Sequence, residues 1–364
     1  MNNSSTANPF FKLLLDKKMQ QTVSSVRRLN DEGTLYYMDC TEKYDRTLFK
    51  AVFKLMGKIK YTGCSAFIAE NPTGGYSVGR NYDLPHKDKN GNITGLNLVV
   101  HVPARDGHYA SLACADACWF TYLKLNYVAG ALDDGSTNLS PLVLMPYFCM
   151  DGINEKGVTA TILALHTKEG ETPADQKIKG KKSIVITVLL REILDNCKSV
   201  DEAIALSQRY NMKALLGLDY HLFVTDASGR SAVIDWRFNE LHANFTDACT
   251  NFYVGYSDAA DIYVHGILKE NFPGPAVTQK EYHYGFGHGY ERFNTVVTAM
   301  DKVRKDGRVV MDKREMKAVL DSVRQQYTNE ISSHTQYCVV YNSEEPGLTV
   351  WPLPGYDKPY EFTF

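Results

Sequence analysis

The sequence predicts a layered α+β domain. Strand-like runs come in blocks, and pairs of helix-like runs separate these blocks, so that the order along the chain is β, α, β, α, β. Strand blocks that flank helix pairs favour sheets packed against helices. No internal repeat or low-complexity linker interrupts the order, and we therefore expect a single domain over residues 64–364, after an N-terminal segment of different character.

The strands are predicted from short apolar runs bounded by turn residues. The stretch NPTGG (71–75) between two such runs is a strong turn signal. Asp151–Gly157 forms a second turn between apolar runs. On this basis strands are predicted at 64–70, 74–83, 96–105 and 108–120, on both sides of the turn within 146–165, as a hairpin around DASGR (226–230), and at 334–342 and 347–354.

Two pairs of helices are predicted. The first pair starts at Ser183 and Ser199, and both serines are plausible N-caps because a side-chain oxygen can accept from the first free N–H groups of a helix. The second pair covers residues 292–303 and 312–327.

Composition narrows the functional classes. The chain has 364 residues, 44% hydrophobic and 23% charged, which is typical of a globular protein. A net charge of −2 gives no electrostatic footprint for nucleic acid. No window approaches 18 uninterrupted apolar residues, so no membrane span is predicted. The N-terminus lacks the features of a signal peptide, which predicts a cytoplasmic protein.

Residues 1–63 differ from the remainder in charge. They hold 11 Lys and Arg against 6 Asp and Glu, a balance of +5, whereas residues 64–364 have a balance of −7. Opposite charges suggest that residues 1–63 (the leader) dock on residues 64–364 (the body), although a chance difference in composition explains the charges equally well. Within the leader, residues 44–60 have the pattern of an amphipathic basic helix that lies on its own domain.

No metal or cofactor is predicted. The eight cysteines are scattered, and in a cytoplasmic chain most should be reduced and buried. Cys114 and Cys118 form a CxxxC without a following pair at zinc-finger spacing. The ten histidines form no HExxH, and the Gly-rich stretch 285–293 does not open a βαβ unit, so dinucleotide binding is unsupported.

Cys64 is the candidate nucleophile. It stands at the head of a predicted strand, just after Gly63, and the hairpin return brings Arg80 and Asp83 alongside it. A nearby guanidinium favours the reactive thiolate. The alternative is that Cys64 is a small buried hydrophobic residue and that Arg80 and Asp83 form a structural ion pair.

Four blocks in order resemble the choloylglycine hydrolase and penicillin V acylase family of linear-amide hydrolases, which are N-terminal-nucleophile (Ntn) enzymes. They are Cys64 with GRNYD (79–83), DGINEKGV (151–158), Thr250–Asn251, and ERF (291–293); the closing HTQYCVVYN is similar too. The resemblance runs from Cys64 to near the end of the chain. It implies a four-layer αββα sandwich and hydrolysis of a linear, non-peptide amide with an apolar acyl group.

The resemblance also implies residue roles. Cys64 is the nucleophile once it is N-terminal, because its own α-amine can then take the thiol proton. Arg80 stabilises charge at the thiolate, and Asp83 orients the α-ammonium. Asn251 donates to the oxyanion with a backbone N–H as the second donor. Arg292 pairs with acidic groups of the site.

Two departures from the family pattern matter. Sixty-three residues precede Cys64, so autocatalytic cleavage between Gly63 and Cys64 is required before the α-amine exists. Ala164 stands where bile-salt hydrolases usually carry Asn and penicillin acylases Tyr. Its backbone N–H can still serve the oxyanion hole, but the side chain announces neither substrate.

The predicted partner is therefore a small-molecule N-acyl amide, and a homo-oligomer is possible. Three alternatives stay open at this point: acyl transfer to an amine instead of water, a papain-like protease, and a non-catalytic binding protein on the same fold. The papain-like alternative needs a histidine positioned by an asparagine, and no local signature around Cys64 supports one.

Overall fold

The computed structural model describes residues 15–44, 63–105, 107–165, 175–214, 219–237, 239–252, 289–327 and 333–364. In chain order, the strands in these ranges are β1 (Arg27–Arg28), β2 (Leu35–Asp39), β3 (Gly63–Glu70), β4 (Tyr76–Asp83), β5 (His86–Lys87), β6 (Ile93–Thr94), β7 (Asn97–Val102), β8 (Ser111–Asp116), β9 (Cys149–Asn154), β10 (Thr159–Leu165), β11 (Lys182–Val185), β12 (Tyr210–Lys213), β13 (Asp219–Thr225), β14 (Ser231–Arg237), β15 (Glu240–Phe245), β16 (Ala248–Cys249), β17 (Arg304–Lys305), β18 (Arg308–Val309), β19 (Thr335–Asn342), β20 (Gly347–Pro352) and β21 (Tyr360–Thr363). The α-helices are α1 (Lys17–Ser24), α2 (Ile186–Asn196), α3 (Val200–Ser207), α4 (Gly289–Val303) and α5 (Lys313–Ser322), and 3-10 helices cover Ala117–Leu123, Ala131–Asp133 and Ser140–Tyr147.

Two large sheets form the centre of the fold. Over the described ranges, one sheet has nine strands in the order β1-β2-β7-β8-β9-β10-β13-β14-β15, and the other has six in the order β16-β3-β4-β19-β20-β21. Strand β10 of the first sheet contacts β3 of the second, so the sheets pack face to face. Their facing apolar side chains belong to one buried core that includes Ala66, Val78, Ile162 and Tyr337.

The helices cover the outer faces of both sheets. α2 packs on β9 and β10 of the nine-stranded sheet, while α4 packs on β3 and α5 on β4 and β19 of the six-stranded sheet. A second apolar cluster, with Phe293, Met316 and Leu320, fills the space under α4 and α5. The predicted α+β class and the four-layer αββα sandwich are therefore confirmed.

The strand predictions that position the site are confirmed. β3 and β4 form the hairpin, and its turn is closed by the Asn71 N–H on the Gly75 carbonyl at 2.9 Å. Gly74 and Gly75 have φ of 105° and 69°, a conformation that glycine adopts without a steric penalty. The hairpin predicted around DASGR joins β13 to β14.

The helix starts were predicted with mixed success. Ser199 caps α3 by accepting from Glu202 N at 3.2 Å, as predicted. The prediction of Ser183 as a cap is wrong, because Lys182–Val185 forms strand β11 paired in parallel with β12, and α2 begins at Ile186. This pairing partner lies far along the chain, and local propensity does not reveal it.

The part of the leader within residues 15–44 is folded against the body. It contributes α1, β1 and β2, and β2 pairs in parallel with β7 in the nine-stranded sheet. The docking that the charge asymmetry suggested therefore takes the form of an added strand. The amphipathic helix predicted at 44–60 lies almost entirely outside the described residues.

Two other predictions concern the bulk of the protein. All eight cysteines are free and buried, as predicted for a reduced chain. Among the described residues, no helix has the length and apolar character that crossing a membrane demands.

Candidate active site

Cys64 is the second residue of β3. It lies at the end of the β3–β4 hairpin opposite the turn, where the chain continues from the leader into β3. The β3–β4 register sets Gly63 opposite Asp83 and Cys64 opposite Tyr82. The Cys64 side chain is buried between the two sheets with 2% of its surface exposed. The hairpin return therefore brings the chemistry of β4 to Cys64, as the sequence spacing predicts.

Arg80 contacts the thiol directly. Its Nη2 lies 3.6 Å from Cys64 Sγ, and its Nε donates to Asp151. Burial acts to lower the pKa of Arg80, but the neighbouring Cys64 and Asp151 raise it well above its usual value, so the guanidinium is a permanent cation. Removing either partner of this fully buried ion pair would leave an uncompensated charge.

Asp151 is a site residue that the sequence reasoning missed. Besides Arg80, it accepts from Tyr337 Oη at 2.7 Å and from Tyr341 Oη. These contacts fix the carboxylate that in turn fixes Arg80. Asp151 opens the DGINEKGV block, which was matched as a motif. Its prediction as a turn residue is wrong, because it lies within β9 (Cys149–Asn154), and nothing local indicates a partner 71 positions away.

Asn251 and Arg292 hold the backbone of Cys64. Asn251 Oδ1 accepts from Cys64 N at 2.8 Å and from Arg292 Nη2 at 2.5 Å, which fixes the orientation of the amide. Arg292 Nη1 also donates to the Cys64 carbonyl and to Ser65 Oγ, the latter at 2.7 Å. Arg292 comes from the first turn of α4, so this contact ties the outer helix layer to the head of β3.

Asp83 lies beside the Gly63–Cys64 peptide bond, which the sequence predicts to be cleaved. Thr335 Oγ1 donates to its Oδ1 at 2.6 Å, and Arg292 Nη1 lies 3.6 Å from its Oδ2. Burial raises the pKa of Asp83, and Arg292 opposes this rise. Asp83 is opposite Gly63 in the ladder, and a Cβ added at Gly63 would lie 3.3 Å from its Oδ2, so the carboxyl group is close to the Gly63 backbone.

Burial and neighbouring charges act in opposite directions on the Cys64 thiol of the full-length chain. Burial raises its pKa; Arg80 lowers it, and Asp83 raises it further. Arg80 therefore acts on the thiol in the expected direction, towards the thiolate, while the loss of hydration acts against it and is the larger effect. Among the described residues, the hydrogen-bond partners of Cys64 include Arg80, Asp83, Asn251 and Arg292 but no histidine, which a papain-like pair would need.

Ala164 lies at the end of β10, across from Cys64. The Ala164 carbonyl accepts a hydrogen bond from Asn251 Nδ2 at 2.8 Å. This bond occupies one of the two N–H groups of the Asn251 side-chain amide that could stabilise an oxyanion. Ala164 borders the space in front of the thiol. The apolar cavity there is lined by Cys64, Tyr82, Leu84, Trp119, Met150, Ile162, Ala164 and Tyr220.

A hydrogen-bond network lies behind the cavity wall. Tyr82 Oη donates to Asp116 Oδ2 at 2.7 Å and accepts from Trp119 Nε1 at 3.1 Å, so the polar atoms of both aromatic residues are occupied. His86 Nε2 lies 2.6 Å from the same carboxylate oxygen. His86, Asp116 and Cys118 are the one group of buried potential metal ligands within the described ranges, and their donor atoms lie within 4.8 Å of one another.

His221 supports the strand that carries Asn251. Its Nε2 lies 2.7 Å from the Thr250 carbonyl, and Cys249 Sγ lies 3.3 Å from the same nitrogen. Burial lowers the pKa of His221 from 6.5 to about 4, although the hydrogen bond to Thr250 acts in the opposite direction. The folded protein therefore holds His221 neutral, with its N–H donating to Thr250 at physiological pH.

This shift predicts an acid-sensitive fold. As the pH falls, His221 is protonated in the unfolded chain at a higher pH than in the folded protein. The free energy of unfolding should therefore fall by about 3 kcal/mol between pH 6.5 and pH 4. Denaturant unfolding as a function of pH measures this fall, and His221→Gln should flatten it. Parallel stability curves for the variant and the wild type would contradict the prediction.

The chain is similar to known amide hydrolases in sequence. Residues 64–247 match the family described as linear amide C-N hydrolases, choloylglycine hydrolase family. A penicillin V acylase from Pectobacterium atrosepticum is 33% identical over 96 residues, which are 24% of this chain and 24% of that protein. This alignment thus spans about a quarter of the length of that curated relative.

Solved structures extend the likeness to most of the chain. A mutant of the conjugated bile acid hydrolase from Clostridium perfringens has a TM-score of 0.57 and 16% identity, covering 83% of this chain and 92% of its own. Penicillin V acylase from Agrobacterium tumefaciens has a TM-score of 0.51 and 18% identity, covering 83% and 86%. At these low sequence identities, the comparison with solved structures shows a similar fold.

Proposed function

Because the chain belongs to the choloylglycine hydrolase family of linear amide C–N hydrolases, we propose that it hydrolyses a linear, non-peptide amide with Cys64 as its N-terminal nucleophile. One observation carries the proposal. The thiol of Cys64 meets the Arg80 guanidinium, while its backbone nitrogen and carbonyl are held by Asn251 and Arg292. A structural cysteine needs none of these charged and amide partners.

Maturation comes first. The Cys64 thiol attacks the Gly63 carbonyl carbon, the Gly63–Cys64 amide bond breaks, and the nitrogen of Cys64 takes up the thiol proton to become the α-amine. Water then hydrolyses the resulting thioester, which yields a Gly63 carboxylate and restores the thiol. The proposed products are residues 1–63 and residues 64–364.

Turnover then uses the freed α-amine. With a reference pKa near 7.7–8.0, this amine can take the thiol proton at neutral pH. The thiolate attacks the substrate carbonyl, the amine product leaves with a proton from the α-ammonium, and water hydrolyses the thioester to release the acid. Asp83 orients the α-ammonium, and Arg80 stabilises the negative charge at sulfur.

The oxyanion of each tetrahedral intermediate needs donors. The proposed ones are an N–H of the Asn251 amide and the backbone N–H of Ala164. The position of Asn251 between Cys64 and Ala164 supports this assignment. Arg292 holds the Asn251 oxygen, which keeps the amide nitrogen directed away from Arg292 and toward Ala164.

The cavity in front of Cys64 supports an apolar acyl group. The hydroxyl of Tyr82 is bound to Asp116, and Trp119 N–H is bound to Tyr82, so these rings offer carbon surface to a ligand. Neither donor is free to recognise a polar acyl substituent. The proposed substrate is therefore an N-acyl amide with an apolar or aromatic acyl part, and its amine part stays undefined.

Two measurements test the proposal: the intact mass of the purified chain, and hydrolysis of a panel of candidate substrates. The panel contains conjugated bile acids, penicillin V, N-acyl amino acids and N-acyl ethanolamines. A mass that starts at Cys64 and hydrolysis of at least one class are expected. Acyl transfer to an added amine in preference to water would favour the acyltransferase alternative. A chain that is never cleaved and hydrolyses nothing would favour a binding protein. The cytoplasmic location and the homo-oligomer stay predictions.

The space around Gly63 predicts a strict requirement at the cleavage site. A Cβ added there would lie 3.0 Å from Ser333 Oγ and 3.3 Å from both Arg292 Nη2 and Asp83 Oδ2. Gly63→Val should therefore displace the scissile bond and slow cleavage, by roughly 100-fold for a shift of about 1 Å. The fraction of cleaved chain over time, read by mass, checks this.

The control for this variant is Cys64→Ala, which is also uncleaved but keeps Gly63. Equal thermal stability of the two variants would show that Gly63→Val blocks the reaction and does not merely unfold the protein. Wild-type cleavage rates in Gly63→Val would contradict the steric argument.

A further inference from the structure

We infer that the leader remains bound after cleavage, and that residues 15–44 are a permanent, non-covalent subunit of the mature protein. The surface that holds them is the β7 edge of the nine-stranded sheet. The inference rests on the cleavage proposed above and goes beyond it, because cutting the chain at Gly63 does not by itself say whether the leader leaves.

The backbone pairing is the first support. β2 pairs with β7 in parallel from Leu35 opposite Asn97 to Asp39 opposite His101. The ladder is extended at both ends, by Asn97 N on the Thr34 carbonyl and by Cys40 N on the His101 carbonyl, each at 2.8 Å. Without β2, β7 would become a bare sheet edge whose N–H and C=O groups invite aggregation.

Apolar burial is the second support. Four apolar side chains in the described part of the leader are at most 1% exposed: Leu35, Tyr36, Met38 and Cys40. They belong to the same core cluster as Leu98, Val99 and Val100 of β7. Loss of the leader would expose both sets of side chains to water, at a cost proportional to the apolar area uncovered.

Polar contacts anchor the leader at two other places in the body. Thr34 Oγ1 donates to the Leu353 carbonyl at 2.7 Å, near the C-terminus. Tyr36 Oη donates to Asp133 Oδ2 at 2.7 Å, and Arg28 pairs with the same carboxylate at 3.2 Å. Cleavage between Gly63 and Cys64 alters none of these contacts, because all of them involve residues 28–36.

The leader is also internally ordered. Asp16 caps α1 by accepting from Met19 N at 2.9 Å, and Thr22 of α1 donates to Glu42 at the far end of the segment. Asn30 Oδ1 accepts from Thr34 N at 3.0 Å within the turn before β2. A segment whose two ends are tied to each other can stay in place without a covalent link to β3.

The test uses the full chain as it matures. Mass spectrometry under denaturing conditions should give two chains, 1–63 and 64–364, while native mass spectrometry of the same sample should give one particle that contains both. A cleaved sample whose native mass is that of residues 64–364 alone overturns this inference and leaves the cleavage intact. An uncleaved chain overturns the proposed cleavage, and this inference with it.

Concentration dependence sharpens the test. If the leader is a separate subunit, the urea midpoint of the cleaved protein should rise with protein concentration, because unfolding releases two chains. The Cys64→Ala chain, in which the leader stays covalent, should have a midpoint that does not change. The same concentration independence in both proteins overturns the inference.

A variant pair links the effect to β2. Met38→Ala removes a fully buried side chain opposite Val100 and should make the leader dissociate at least tenfold faster after cleavage. Glu32→Ala changes an exposed residue of the preceding turn and should match the wild type. Equal dissociation rates for Met38→Ala and the wild type contradict the inference, and if Met38→Ala does not accumulate, the native mass of the wild type decides.

Discussion

Replacing Cys64 with alanine is expected to leave a full-length chain that neither cleaves itself nor hydrolyses an amide. Both reactions use the same sulfur, and a methyl group offers no electron pair to a carbonyl carbon. The loss of turnover should be on the order of 10⁶-fold, the size that removal of a nucleophile produces. Intact mass reads the first effect, and product release from the best substrate of the panel reads the second.

Cys197→Ala is the matched control for this variant. Cys197 is also buried, at 2% exposure, but it lies at the end of α2 and is not a wall residue of the Cys64 cavity. It should be cleaved and active like the wild type. Amide hydrolysis that survives in Cys64→Ala would identify another nucleophile and refute the proposal.

The second large effect is expected from Asp83→Asn. This change keeps the shape of the side chain but removes the charge next to the proposed α-ammonium, so the amine loses the group that orients it and stabilises its protonated form. Turnover should fall by roughly 10²- to 10⁴-fold, the usual contribution of a positioned proton-transfer group. Steady-state rates normalised to folded protein measure the fall.

Asp195→Asn separates catalysis from folding in this experiment. Asp195 is a buried carboxylate paired with Arg191 at 2.8 Å, and it lies in α2, away from the hairpin that holds Cys64. Neutralising it should lower stability while each folded molecule keeps its turnover. If Asp83→Asn lowers stability and turnover in the same proportion as Asp195→Asn, then Asp83 has only a structural role.

The elements that carry the site were predictable because their signals are local. The hairpin of β3 and β4 follows from two short apolar runs and a glycine-rich turn, and this alone brings Arg80 and Asp83 to Cys64. Ser199 could be recognised as a cap for the same reason. Ser183 could not, because β12 pairs with β11 across a crossover and overrides the local helix signal.

The electrostatic state of the site was not predictable in this way. The sequence places a guanidinium near Cys64 and so favours a thiolate, but burial raises the pKa of the thiol in the uncleaved chain. Asp151, which holds Arg80, belongs to another sheet and is distant in sequence. Burial and long-range ion pairs are properties of packed layers, and no spacing rule reports them.

The difference between what the local sequence determines and what tertiary packing determines is clearest for the leader. By itself, the sequence determined the α+β class, the candidate nucleophile and the residues beside it, because each depends on residue type and short spacing. The cut between Gly63 and Cys64 stays a prediction that the family resemblance adds. Only the tertiary structure decided that β1 and β2 of the leader join the nine-stranded sheet. Parallel pairing joins segments far apart in the chain, and its stabilisation comes from burial that exists only once both sheets are assembled.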